Sequence, residues 1–326
     1  MTSIRLLAAC LLLTASPAVA RPGPVASVVV PAPVIPTETA ADELALGNDY
    51  GGRMTVAVEI GGKGPYRFLV DTGSERTVIS RQLAERLGLE VGQRTMLHSV
   101  VSANRVDTVL IPSMTVSKKT FSVIDAPALE ASNIGADGML GIDSLRAQKV
   151  MFDFKGKTMS ISRASKRPEA VDPDEIVVRA RSRNGRLIFT QARIDGQKVT
   201  VIVDTGSQVT IGNMALQRSL VRRGAWIAPD PATIQSVTGE KLYVQVALVD
   251  ELELGGVNLK KLAVAFADSH IFRQLNLEDS PALLLGMNAM RAFDRISIDF
   301  AAKRVRFVLP GMGMLDTFRM AEMERR

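Results

Sequence analysis

The chain has one cysteine and two histidines among 326 residues, and aromatic side chains make up only 5% of it. The cysteine, Cys10, sits in an N-terminal stretch that reads as a leader, so a mature chain is expected to hold no disulfide even in an oxidising compartment. His98 and His270 are far apart and in no spacing that suggests zinc; neither a metal nor a cofactor is expected, and each reads as a surface or hydrogen-bonded residue. There is no Gly-x-Ser-x-Gly elbow for a serine hydrolase and no glycine-rich phosphate loop. A formal charge of +6 is moderate for this length, and with few aromatics and no recognition motif it makes no case for nucleic-acid binding. Beyond the first twenty residues, Lys, Arg, Asp or Glu interrupts every apolar run well before about 18 residues, so no transmembrane segment is expected in the mature chain.

Met1 to Ala20 reads as a signal peptide: Arg5 supplies the positive start, Leu6 to Thr14 the apolar run, and Ala18-Val19-Ala20 a small-residue cleavage site. Leu7-Ala8-Ala9-Cys10 also resembles a lipoprotein processing box, but the apolar run continues past Cys10, which favours ordinary cleavage. A periplasmic or secreted destination is the expectation. Residues 21–46, with Pro22, Pro24, Pro31, Pro33 and Pro36, suit an extended linker, because proline fixes its backbone and removes donors. What remains is long enough for two domains, and 46% hydrophobic with 23% charged residues supports a folded core. The expected organisation is a first lobe at 47–163, a proline- and charge-bearing connector at 164–175, a second lobe at 176–310 and a C-terminal tail at 311–326.

Against these absences stands one tetrapeptide written twice, Asp71-Thr72-Gly73-Ser74 and Asp204-Thr205-Gly206-Ser207. Each ends an apolar run that reads as a buried strand, Phe68-Leu69-Val70 and Val201-Ile202-Val203, and each precedes a further short one, Thr77-Val78-Ile79 and Val209-Thr210-Ile211. A carboxylate is thus delivered twice at a tight turn between strands. If the copies face each other, two carboxyls about 3 Å apart cannot both ionise, and the pair holds one proton. One member then serves as general base on a water while the other polarises a carbonyl, chemistry that needs no metal, cysteine or histidine.

The repeat extends over nearly all of residues 50–309. Met54 to Ile60, a turn at Gly61-Gly62-Lys63-Gly64 and Tyr66 to Val70 match Phe189 to Ile194, a turn at Asp195-Gly196 and Val199 to Val203. Short helices follow at Arg81 to Leu87 and at Met214 to Arg223, the second capped by Asn213. Two strand–turn–strand segments come next, at Ser99 to Asn104 and Ser236 to Glu240. Strands are then expected at Met114 to Ile124 and Leu252 to Phe266, and closing strands at Val150 to Ile161 and Ile296 to Val308. The second half opens with Ile176 to Arg183 and an Asn184-Gly185 turn; Arg179, Arg181 and Arg183 alternate on one face, read as solvated, with contact to an acidic substrate or the cell envelope as the alternative.

Asp-Thr-Gly after an apolar strand, followed later by Met139-Leu140-Gly141 and Leu284-Leu285-Gly286, resembles the aspartic peptidases, the clan that joins pepsin-like and retropepsin-like enzymes. The resemblance implies an all-β fold of two similar retropepsin-like lobes, barrel-like with short helices, and an active site between them in an internal pseudo-dimer. It makes Asp71 and Asp204 the catalytic pair, has Thr72 and Thr205 bond across the lobes, and brings the amides of Gly73 and Gly206 to the carboxylates. Ser74 and Ser207, where retropepsins often carry Ala, are expected to donate their hydroxyls to the carboxylates and extend activity into acid. Val101, Ser102, Ala103 and Asn104, with Thr238, Gly239 and Glu240, are candidate flaps over a peptide or protein substrate; plain surface hairpins are the alternative. Asp143, where the second lobe has Asn288, departs from the family pattern, and Glu75 contrasts with Gln208. The implied activity is endopeptidase; a catalytically silent peptide-binding module on the same lobes is the other reading.

Overall fold

A computed structural model describes residues 26–29, 55–116, 119–156, 158–164, 175–183, 185–224 and 229–310. The expected leader and tail, and most of the linker and connector, lie outside the described residues. The fold is all-β with short helices, in two lobes. In the first, alternating and apolar runs close into a six-stranded barrel: Thr55–Ile60 pairs with Lys63–Val70, then in turn come Gly138–Leu140, Val78–Ser80, Lys119–Leu129 and Ala103–Val116, which returns to Thr55–Ile60. The second lobe repeats the circuit with Arg186–Ile194, Gln197–Val203, Ala282–Leu285, Thr210–Gly212, Val257–Phe266 and Lys241–Leu254. Closure leaves these six strands no open edge in either lobe.

The helices sit where their caps put them. Ser80 accepts the amide of Leu83 at 3.2 Å to start Arg81–Leu87, and Gly88 ends it in a left-handed conformation. Asn213 starts Met214–Arg222 by accepting from Leu216 at 2.8 Å, and the same buried side chain donates to the carbonyls of Leu277 and Ser280, both at 2.7 Å.

Several elements depart from the sequence reading. Met114 to Ile124 is not one strand but the two arms of a hairpin, and Leu252 to Phe266 likewise folds back at Gly255-Gly256. The closing segments are also hairpins, Gln148–Asp153 with Thr158–Arg163 and Arg295–Asp299 with Arg304–Val308. Joined edge to edge and extended by Glu175–Arg179, they form one antiparallel sheet that bridges the lobes. Val150, Phe152, Ile296, Ile298, Val305 and Phe307 fill its inner face, in one apolar cluster that runs from Phe68 and Ile111 of the first barrel to Val201 and Leu252 of the second. Within the stretch read as linker, Ala26–Val29 pairs in parallel with Val257–Lys260 of the second lobe.

Replacing Asn213 by Ala removes a cap and leaves two buried carbonyls without their donor. The expected cost is at least about 2 kcal/mol, measured as a lowered denaturant midpoint at unchanged m-value.

Candidate active site

Each tetrapeptide begins where a barrel strand ends. Lys63–Val70 lies parallel to Gly138–Leu140, and the Asp71 amide continues that ladder to the carbonyl of Leu140 at 2.9 Å. In the second lobe the amide of Asp204 reaches Leu285 at 3.1 Å. Both turns fold back onto their own carboxylates. Oδ1 of Asp71 accepts from the amides of Gly73 (2.8 Å) and Ser74 (3.0 Å); Oδ1 of Asp204 accepts from Gly206 (2.9 Å) and Ser207 (3.3 Å).

The segments at Gly141 and Gly286 brace these turns from behind, with Ile142 donating to the carbonyl of Ser74 at 2.9 Å and Met287 to that of Ser207 at 2.8 Å. Asp143 and Asn288 then occupy matching places. Asp143 accepts from the amide and hydroxyl of Thr77, while Asn288 accepts from the hydroxyl of Thr210 and donates onward to Ala263. The serine hydroxyls do not take the route expected for them. Ser74 Oγ donates to the carbonyl of Arg76 and Ser207 Oγ to that of Val209, each at 2.7 Å. Turn geometry brings that carbonyl within reach two residues on, so the serines close their own turns and only their amides serve the carboxylates.

The two turns interlock across the lobes. The hydroxyl of Thr72 donates to Val203 (2.9 Å) and accepts from the amide of Thr205 (3.0 Å); that of Thr205 donates to Val70 (2.6 Å) and accepts from the amide of Thr72 (3.1 Å). All four bonds are buried. A side chain on Gly73 would overlap the carboxyl of Asp204, and one on Gly206 that of Asp71, so glycine is required for the approach. The carboxyls that meet there are 8% and 5% exposed and hydrogen-bond to each other.

Burial pushes both carboxyls above the usual range. Asp204, which also faces the charge of Asp71, is raised to about 8. The Gly73 and Ser74 amides and the bond from Asp204 oppose the rise at Asp71. One proton therefore stays with the pair well above the pH at which ordinary carboxyls lose theirs.

A family model described as aspartyl protease matches residues 56–144 and 190–289, together more than half of the chain. The chain belongs to the aspartyl protease family. No curated protein matches it. The two matched regions correspond to the two lobes, and the carboxyls of this aspartyl protease that face each other come one from each region within a single chain.

Arg186 escaped the sequence reading. It opens the first strand of the second barrel's circuit yet reaches into the first lobe's turn, where Nε donates to the carbonyl of Gly73 at 3.0 Å and Nη1 pairs with Glu75 at 2.7 Å. Although a cation, it is only 2% exposed, and its charge opposes the rise in both carboxyls. The contrast of Glu75 with Gln208 was its one sequence signal: an acid stands beside only one of the two turns, and it is the buried cation that needs it as a partner.

Both candidate flaps are hairpins. Glu90–His98 and Ala103–Val116 flank a turn closed by Ser99 donating to Ser102 at 2.8 Å, with Val101 bound to the Ser99 hydroxyl; Asp230–Gln235 and Lys241–Leu254 flank a turn closed by Ser236 donating to Glu240 at 2.8 Å. Their tips meet. The Ser102 hydroxyl donates to Glu240 Oε2, to which Thr238 adds a bond at 3.3 Å, and Asn104 donates to Ser102 at 2.9 Å. The Ser102 bond holds the Glu240 carboxyl below the ordinary range.

Each tip also rests on the opposite lobe. Val100 packs against the second lobe's apolar cluster that holds Ile188, Ile202 and Ile271, while Val237 packs against the first lobe's cluster that holds Leu69, Ile134 and Met139. Gly239 lies against Asn133, which accepts from Gln235 at 3.0 Å. Ala103 is exposed at the start of its strand. Reciprocal seating of this kind has no signal in either hairpin's own sequence.

A carboxyl that titrates higher folded than unfolded makes the native state bind the extra proton. The stability it contributes is complete below the unfolded value of 3.8 and is lost as pH rises through about 8. Asp204→Asn is therefore expected to melt above wild type near pH 8, the gain shrinking to nothing toward pH 4. Thermal melts across that window check it, and a pH-independent difference contradicts it.

Proposed function

We propose that this aspartyl protease is an endopeptidase that cleaves exported proteins with a water activated between Asp71 and Asp204. The observation that carries this reading is the hydrogen-bonded pair of buried carboxyls. Binding alone has no use for two acids forced together in a site that opposes their ionisation. In the singly protonated pair, the carboxylate takes a proton from water as its oxygen attacks the peptide carbonyl carbon. The protonated partner gives its proton to the carbonyl oxygen, leaving a tetrahedral diol. A proton then passes to the amide nitrogen, the C–N bond breaks, and the second carboxyl re-forms as the acid product leaves. No covalent acyl-enzyme arises.

The hairpin flaps supply edges along which an extended peptide can hydrogen-bond through its main chain, with side chains pointing alternately into the two lobes. Among the described residues no helix is long and apolar enough to cross a membrane. The N-terminal leader pattern is what supports export as the setting.

Single Asp71→Asn and Asp204→Asn variants decide the question on a peptide library read by mass spectrometry. Each is expected to lower the cleavage rate by at least about 100-fold, the scale of acid–base catalysis. Cleavage retained by either variant would overturn the paired-acid mechanism, and no cleavage by the unaltered chain would leave the silent binding module as the better reading.

A further inference from the structure

The chain's two histidines, 172 positions apart, meet beside the tip of the first flap. His98 is the last residue of the flap's first strand, and His270 is the first residue of the helix His270–Gln274 in the second lobe. Nδ1 of His98 lies 2.9 Å from Nε2 of His270, and the rings meet edge to edge with centroids 5.2 Å apart and planes 3° from parallel. The same helix start holds the flap's tip, since the carbonyl of Val100 accepts the His270 amide at 3.0 Å and the Ser269 hydroxyl at 2.5 Å. His270 is thus bonded to the flap through both backbone and ring.

A bond between two imidazole nitrogens needs one proton in the gap. The pair can be neutral or carry a single charge and keep it. When both facing nitrogens are protonated, neither accepts, and two cations are left with their N–H groups head to head. We propose that His98 and His270 form an acid-released latch, which holds the first flap down over the carboxyl pair at neutral pH and frees it when the second imidazole takes a proton. That the movement admits a peptide rests on the function proposed above; that it occurs does not.

The surrounding charges set the direction. Arg273 is on His270's own helix, engaged with Asp268 in the segment leading into it. From the flap come Arg105, paired with Met96 on the face that carries His98, and Arg94 with its partner Asp107 further along. Glu240, at the other flap's tip, is occupied by Ser102 and Thr238. Glu75, bonded to Gln274 at the far end of the helix, is paired with Arg186, the two aspartates are matched to arginines and Glu240 to hydroxyls, so each of these carboxylates already has a partner. Burial, His98 and Arg273 accordingly keep His270 below the ordinary histidine range. The latch releases below about pH 6.5, where the carboxyl pair still holds its working proton.

The test reads flap position rather than cleavage. Spin labels are placed on cysteines at Val101 in the flap tip and Asp279 in the second lobe, with Cys10 replaced, in an Asp71→Asn background that suppresses self-cleavage. The expected result is one short distance near pH 7.5 that shifts to a longer, broader distribution near pH 5. His98→Phe and His270→Phe, which keep an aromatic ring but cannot gain charge, are each expected to abolish the pH-dependent shift. An unchanged distribution across this range in the otherwise unaltered pair would overturn the latch, and so would a shift that persists in both Phe variants. Should the carboxyl pair prove inactive, these outcomes stand unaffected.

Discussion

The reciprocal exchange between Thr72 and Thr205 is the interaction on which the site depends. Each hydroxyl donates to a carbonyl of the other lobe and accepts an amide from it, so neither turn is satisfied without its counterpart. Only that closeness makes sense of the glycines, whose missing side chains leave room for the opposite carboxyl. It also explains the shared proton, because two acids brought together away from water cannot both be charged. The bridging sheet serves the same end from below, tying the last hairpin of each half into one layer.

Within this pseudo-symmetric frame the asymmetries are chemical. Arg186 and Glu75 mark one side of the pair, and Gln208 stands where a second acid would have been. Asp143 answers Thr77 as Asn288 answers Thr210, one with charge and one without. The first flap is bonded to His270 and Ser269, whereas the second reaches Asn133 through Gln235. A duplicated scaffold delivers two like groups to one place; unlike surroundings are what allow them different roles.

The features repeated in the sequence were the legible ones. Paired tetrapeptides, the capped helices starting at Arg81 and Met214, and the two candidate flap hairpins all follow from local pattern, since turn residues and apolar alternation act over a few positions. Tertiary partnership was not legible. The bridging sheet joins strands roughly 145 residues apart in register, Ile298 opposite Val150, and neither strand names its partner. Arg186 looked like an ordinary strand residue because its target is a carbonyl and a carboxylate in the other lobe. The serine hydroxyls illustrate a third limit. Their identity beside the aspartates was plain, but the competition between carboxylate and nearby carbonyl is decided by the geometry of the folded turn.

The central claim is one proton held between two buried acids, and the carboxyl carbon resonances of Asp71 and Asp204, followed by NMR across a pH titration, report it directly. The account predicts two linked steps, with the last proton leaving the pair far above 3.8, the ordinary value. Two independent transitions near that ordinary value, each undisturbed when the other residue is changed to Asn, would contradict it.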